Sequence, residues 1–200
     1  MADTKISGLA AGVPAQATDL IPIARAGANY SITPSNILSY GGSAATVPSI
    51  TFNSTSGVIG TTTNDAAAAG SVGEYVSSTV APASAVAIAT TGTALDITTI
   101  SLTAGDWLVS INGAIQSAGS VTTRLFVWIG TTAGNSAAEA NANTFADFNY
   151  ALPANGTLPC AVPSYRMSLA STTTVRFKAQ STFAGTQPTV SGRISATRVR

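Results

Sequence analysis

The sequence predicts a mainly β protein: an N-terminal arm with a short hairpin and a helical turn, then an antiparallel β-sandwich. Three apolar runs at 97–102, 107–111 and 125–129, separated by Gly-containing turns, carry that expectation. In the middle run Trp107, Val109 and Ile111 fall on one face of an extended strand and Leu108, Ser110 and Asn112 on the other, because strand side chains alternate. The third run, LFVWI, is apolar throughout and suits a strand covered on both faces. Short strand candidates bounded mostly by Gly, Pro or Asn fill the rest of the C-terminal half, the pattern of a sandwich or jelly roll.

Residues 1–40 read as one unit. Leu20, Ile21, Pro22, Ile23, Ala24 and Arg25 form a short edge strand, since Pro22 has no N–H to give to a ladder. Ala26 to Asn29 make a turn, and Tyr30, Ser31 and Ile32 return as the hairpin partner. Thr33 and Pro34 suit the N-cap and first position of a brief helix running past Ile37. A segment this short buries little on its own, so it is expected to dock on a partner. Residues 41–83, rich in Gly, Ser, Thr and Ala, read as a linker, or as an extended strap whose Ile50, Phe52, Val58 and Ile59 lie along neighbouring subunits. Residues 84–200 read as the sandwich, with strands at 84–90, 95–102, 106–113, 124–130, 165–170, 175–180 and 190–199. The interval 131–163 reads as a surface loop, with an irregular strand around 144–150.

Composition narrows the function. Hydrophobic residues make up 45% of the 200 residues but charged ones only 8%, against about 25% in typical domains. Such a surface carries little of the charge that keeps a monomer soluble, which points to an oligomer or a larger assembly. The charge is also lopsided. Residues 151–200 hold Arg166, Arg176, Lys178, Arg193, Arg198 and Arg200 and no acid, whereas all eight acids lie in residues 1–150. With no aromatic ladder or Gly-rich motif beside these cations, nucleic acid is not the expected partner; charge between subunits or along strand edges is. Cys160 stands alone and reads as a small buried hydrophobe. The N-terminus lacks the features of a signal peptide and no run reaches the length of a membrane helix, so synthesis in a cytoplasm is expected.

Chemistry leaves few traces. The chain contains no His, which removes Ser-His-Asp and Cys-His nucleophiles and histidine metal sites. No phosphate-cradling Gly loop is present. Asp96 and Asp106 sit where strand ends and turns account for them, leaving no evident pair of glycosidase carboxylates. Asn141, Asn143, Asp147 and Asn149 offer oxygens without the carboxylate density of a calcium loop. No catalytic residue, cofactor or metal is expected.

Lys5-Ile6-Ser7, Leu9, the stretch Ala17 to Pro22, Asn29-Tyr30, Ile32-Thr33-Pro34 and Ile37 resemble the start of many tailed-bacteriophage virion proteins. Residues 60–78 resemble connecting stretches of phage fibre and decoration proteins. SLTAGDW at 101–107, SLASTTTVRFKAQ at 168–180 and the ending ISATRVR are similar to their β-domains and, more loosely, to trimeric C1q/TNF-type jelly rolls. The resemblance implies a non-enzymatic virion protein, made in the bacterial host cytoplasm: a homotrimeric head-decoration or head-fibre knob bound to a capsid or tail protein. Leu20, Ile21, Pro22, Ile23, Tyr30, Ile32, Pro34 and Ile37 would dock on the virion. Trp107, Phe126, Trp128 and Phe177 would fill the core or the trimer interface. The alternative is a tail-fibre or tail-tip protein that recognises a host surface glycan or protein through outward loops carrying Asn141, Asn143, Asp147 and Tyr150.

Overall fold

The structure is a computed structural model that describes residues 21–25, 28–32, 66–117, 119, 121–134, 144–149 and 151–200. The chain divides into residues 1–61 and residues 62–200. In the first unit β1 (Ile21–Arg25) pairs antiparallel with β2 (Ala28–Ile32), setting Ile21 opposite Ile32 and Ile23 opposite Tyr30. Pairing already begins at Ala28, so the hairpin connection is tighter than the turn read from the sequence. Leu20, Pro34, Ile37 and the helical turn lie outside the described residues.

The second unit is a β-sandwich. Its strands are β3 (Tyr75–Val80), β4 (Val86–Ala87), β5 (Leu95–Leu102), β6 (Gly105–Gln116), β7 (Val121–Gly130), β8 (Phe145–Phe148), β9 (Thr157–Leu169), β10 (Thr173–Ala184) and β11 (Thr189–Arg198). One sheet has the order β5-β10-β7-β8 and the other β3-β11-β6-β9, with β4 also on β11. Every pairing is antiparallel, and most successive strands cross from one sheet to the other, which is the connectivity of a jelly roll.

Two differences from the sequence reading have physical causes. Residues 75–80, read as linker, form β3 along β11; Ser78 occupies an inward position there and weakens the apolar alternation. Its hydroxyl is satisfied by the Thr98 hydroxyl at 2.5 Å. The loop read up to residue 163 is the first half of β9, masked by Pro159 and Pro163. Both prolines are tolerable because β9 is the edge of its sheet.

The core lies between the sheets. Trp107, Val109, Ile111 and Ile115 of β6 and Val190, Ile194 and Ala196 of β11 face Leu125, Val127, Ile129, Val175, Phe177 and Ala179 of the other sheet. Cys160 belongs to this core, and burial pushes its thiol pKa up to about 11. Phe177 has a seat made for it. Gly113 and Gly192 are cross-strand partners on β6 and β11, and the ring lies where their side chains would otherwise be. A Cβ on Gly113 would sit 2.5 Å from the Ser191 carbonyl oxygen and 3.2 Å from the Phe177 ring. Gly192 adopts φ +147°, and a Cβ there would sit 2.5 Å from the Asn112 oxygen.

A smaller cluster lies on the far face of the β5-β10-β7-β8 sheet. There Phe126 packs against Trp128 at a centroid distance of 4.7 Å and against Phe145 at 5.2 Å. This explains why 125–129 is apolar without a break: Leu125, Val127 and Ile129 serve the main core, and Phe126 and Trp128 the second.

Urea unfolding should register the glycine seat. Gly113→Ala is expected to cost about 1–3 kcal/mol through overpacking, although alanine ordinarily suits a strand no worse than glycine. Phe177→Ala should cost about 3–5 kcal/mol. A neutral Gly113→Ala would show that the seat has room to spare.

Candidate functional site

The ionic side chains of the sandwich find one another. Arg166 and Arg200 donate to Asp106 Oδ2 at 2.7 and 2.8 Å, Arg176 and Lys178 pair with Asp96, Arg198 with Glu74 at 2.9 Å, and Arg124 with Asp147 at 2.7 Å. Most of the cations after residue 150 thus meet acids from earlier in the same chain. Asp96 and Asp106, read as capping and turn residues, are the hubs of this pairing; their partners are 60 to 94 residues away in sequence, where no local pattern reveals them.

The densest of these networks stands at one end of the β3-β11-β6-β9 sheet. Arg198 is nearly buried, its guanidinium 4.3 Å above the Trp107 ring. It donates to Glu74 Oε2 at 2.9 Å, to the Ala104 carbonyl at 2.8 Å and to the Thr103 hydroxyl. The Trp107 indole N–H donates to the Thr103 carbonyl at 2.9 Å. Gly105, at φ +135°, leaves the space that this guanidinium fills. Backbone bonds from Gly73 to Arg198, Arg198 to Glu74, Asp106 to Arg200 and Val199 to Asp106 tie the end of β11 to the starts of β3 and β6.

Above this network the sheet turns an apolar patch to solvent. Among the described residues the exposed large hydrophobic side chains are Val72 (69%), Tyr75 (47%), Leu108 (40%) and Val199 (38%). They converge. Tyr75 and Leu108 both pair with Thr197, on opposite sides of β11, so they share one rung and one outward face. Val199 hydrogen bonds to Asp106, two residues before Leu108, and Val72 precedes Gly73, which is bonded to Arg198. Arg166 opposite Leu108, and Arg200, form an exposed basic rim. Elsewhere this face carries Asp106, the amides Asn112 and Gln116, and Arg193 among small residues such as Ser77, Thr79, Ser110, Ala114, Ser191 and Ser195. A shallow depression of about 360 Å³ lies over Gly113 and Gly192, where β3 ends at Val80 and Pro82 turns the chain away. Such a concentration of exposed apolar side chains on a face of otherwise small or polar ones suits contact with another protein surface.

Trp107, Phe126, Trp128 and Phe177 are all buried within the chain itself, so none of them supplies exposed contact surface. Asp147 is held on Arg124, whose guanidinium lies 5.2 Å from the Phe126 ring. Asn141, Asn143 and Tyr150 lie outside the described residues. Leu108 was legible in the sequence as the outward neighbour of Trp107; Tyr75, Val72 and Val199 were not, because strand pairing alone gathers them. Among the described residues no three His, Cys, Asp or Glu side chains come together as metal ligands, and no helix is long and apolar enough to cross a membrane.

No protein-family model matches the chain and no curated protein matches its sequence. Among solved structures it is similar to a chain in the structure of infectious bursal disease virus Gx strain, with a TM-score of 0.42 and 11% identity. That similarity covers 71% of this chain and 36% of the other, so the chain spans little more than a third of that protein's length.

The carboxylates give the sandwich an acid-side limit. The Gly70 N–H and Arg198 hold Glu74 below its ordinary value of 4.5. Burial pushes Asp96 upward, but Lys178, the Gly134 N–H and Arg176 outweigh it and bring it below 3.8. Arg166, with Ser168, lowers Asp106 likewise. All three bind protons less readily folded than unfolded, so their contribution is complete above about pH 4.5 and is lost as pH falls through the folded values. The urea midpoint should be level from pH 5 to 7, as roughly expected for ionised, paired carboxylates, and drop steeply toward pH 3. In the Glu74→Gln variant the drop should be shallower.

Proposed function

We propose that the protein is a non-enzymatic structural component of a bacteriophage virion, working as a homotrimeric knob on the particle. The observation that carries the assembly half of this reading is the gathering of Val72, Tyr75, Leu108 and Val199 on one outward end of the β3-β11-β6-β9 sheet. A surface of this kind loses apolar area from water when copies meet, and each buried Å² contributes roughly 25 cal/mol. The charge economy supports it as well: ion pairing within the sandwich leaves few charges for partners to desolvate. The three-fold symmetry and the virion location rest on the sequence resemblance of residues 1–40, 60–78 and the β-domain. The N-terminal unit, with Ile21, Ile23, Tyr30 and Ile32, attaches the trimer to a capsid or tail protein, and the work is done by contact rather than reaction.

Analytical ultracentrifugation of the full chain should show a trimer, and Leu108→Asp combined with Tyr75→Asp should sediment as a monomer with an unchanged circular dichroism spectrum. A wild-type protein that sediments as a single copy refutes the assembly reading. Removal of residues 1–40 should leave a trimer that no longer joins particles; incorporation at the normal level refutes the docking role. Blocking of host adsorption by the purified protein would move the assignment to a receptor-binding fibre.

A further inference from the structure

Lys178 lies in the middle of β10 with its side chain fully buried, on the face of the sheet opposite Phe177 and Ala179. Neither the main core nor the outward patch uses it. Its ammonium donates to the Thr132 carbonyl at 2.9 Å and the Gly134 carbonyl at 2.7 Å, and it pairs with Asp96 Oδ1. Three donors thus meet three oxygens, which is the full capacity of an ammonium. The Trp128 ring stands 6.0 Å away.

Two details show how the site is built. In the ladder between β5 and β10, Phe177 pairs with Thr98 but Lys178 pairs with Asp96, so Ile97 is an extra residue. That bulge sends Ile97 into the main core while Asp96 comes up opposite Lys178 on the far face. Asp96 is itself held in place. Arg176 Nη1 donates to its Oδ2 at 2.8 Å, and the Gly134 N–H reaches the same oxygen at 3.4 Å. Arg176 Nε also reaches the Thr131 carbonyl at 3.4 Å.

We propose that the Lys178 ammonium is a tethered cation that positions the start of the connection between β7 and β8, filling an oxygen cage made by Asp96, Thr132 and Gly134 much as a bound metal ion would. The chain at 131–134 keeps its course because its carbonyls converge on that charge. With no cation between them, a carboxylate and two carbonyl oxygens turned toward one point repel each other. A buried ionic cluster adds little net stability compared with apolar packing, so its use here is to select one backbone course. Among the described residues the charged groups facing the cage are Asp96, Arg176 and Lys178.

Hydrogen exchange on the full chain tests this. Lys178→Met keeps the length of the side chain and removes its charge. The Gly134 amide should then exchange faster by about tenfold or more, the weight of hydrogen bonds to charged groups, while β6 and β11 amides hold their rates. Phe177→Leu, a core change on the same strand, should speed exchange across both sheets without singling out Gly134. If Lys178→Met fails to fold, Lys178→Gln decides: it removes the charge, leaves Asp96 and its bond to the Gly134 N–H in place, keeps a polar head toward the oxygens and should give the same local effect, smaller in size. An unchanged Gly134 rate in the folded variant, or a rise no larger than in β6 and β11, overturns the proposal.

Discussion

The sandwich depends on one fit between its sheets, the Phe177 ring seated over Gly113 and Gly192. Two facing sheets normally interdigitate side chains of middling size. Here one sheet contributes a large ring at full burial and the other contributes none at the matching rung, so the large side chain is met by bare backbone. The fit fixes the lateral alignment of β10 against β6 and β11. It also sets which residues of β10 face outward, and so where Lys178 and Arg176 emerge.

Charge is arranged around that geometry. The chain has few ionic groups, yet in the sandwich Glu74, Asp96, Asp106 and Asp147 each hold at least one cation. Arg198 shows how a cation is kept inside: aromatic face beneath, carboxylate at one edge, carbonyl and hydroxyl oxygens around the rest. This network braces the end of the sheet on which Tyr75 and Leu108 stand exposed. A rigid backing of that kind holds the exposed patch in one shape.

The two sheets divide the labour. The β3-β11-β6-β9 sheet has an outward face of mostly small or polar side chains, with exposed apolar residues gathered at one end. The β5-β10-β7-β8 sheet covers its far face with Phe126, Trp128, Phe145 and the Lys178 cage, and so keeps little apolar surface for partners. One sheet thus leaves apolar side chains exposed and the other closes its far face upon itself.

What the sequence determined by itself was the local pattern. Alternation around Trp107, the unbroken run at 125–129 and the Gly-marked turns place strands at β5, β6, β7, β10 and β11, because period-two burial and turn chemistry act over neighbouring residues. The weak alternation of YVSSTV hid β3 and the prolines hid the first half of β9, whose second half the reading of a strand at 165–170 had placed, since an inward Ser and an edge Pro become acceptable only through partners far along the chain. Tertiary structure alone decided that Asp96 meets Lys178 across a bulge, that late arginines answer early acids, and that Tyr75 and Leu108 share a rung. Those are juxtapositions made by strand pairing across as many as 124 residues of sequence, a distance over which no local propensity carries information.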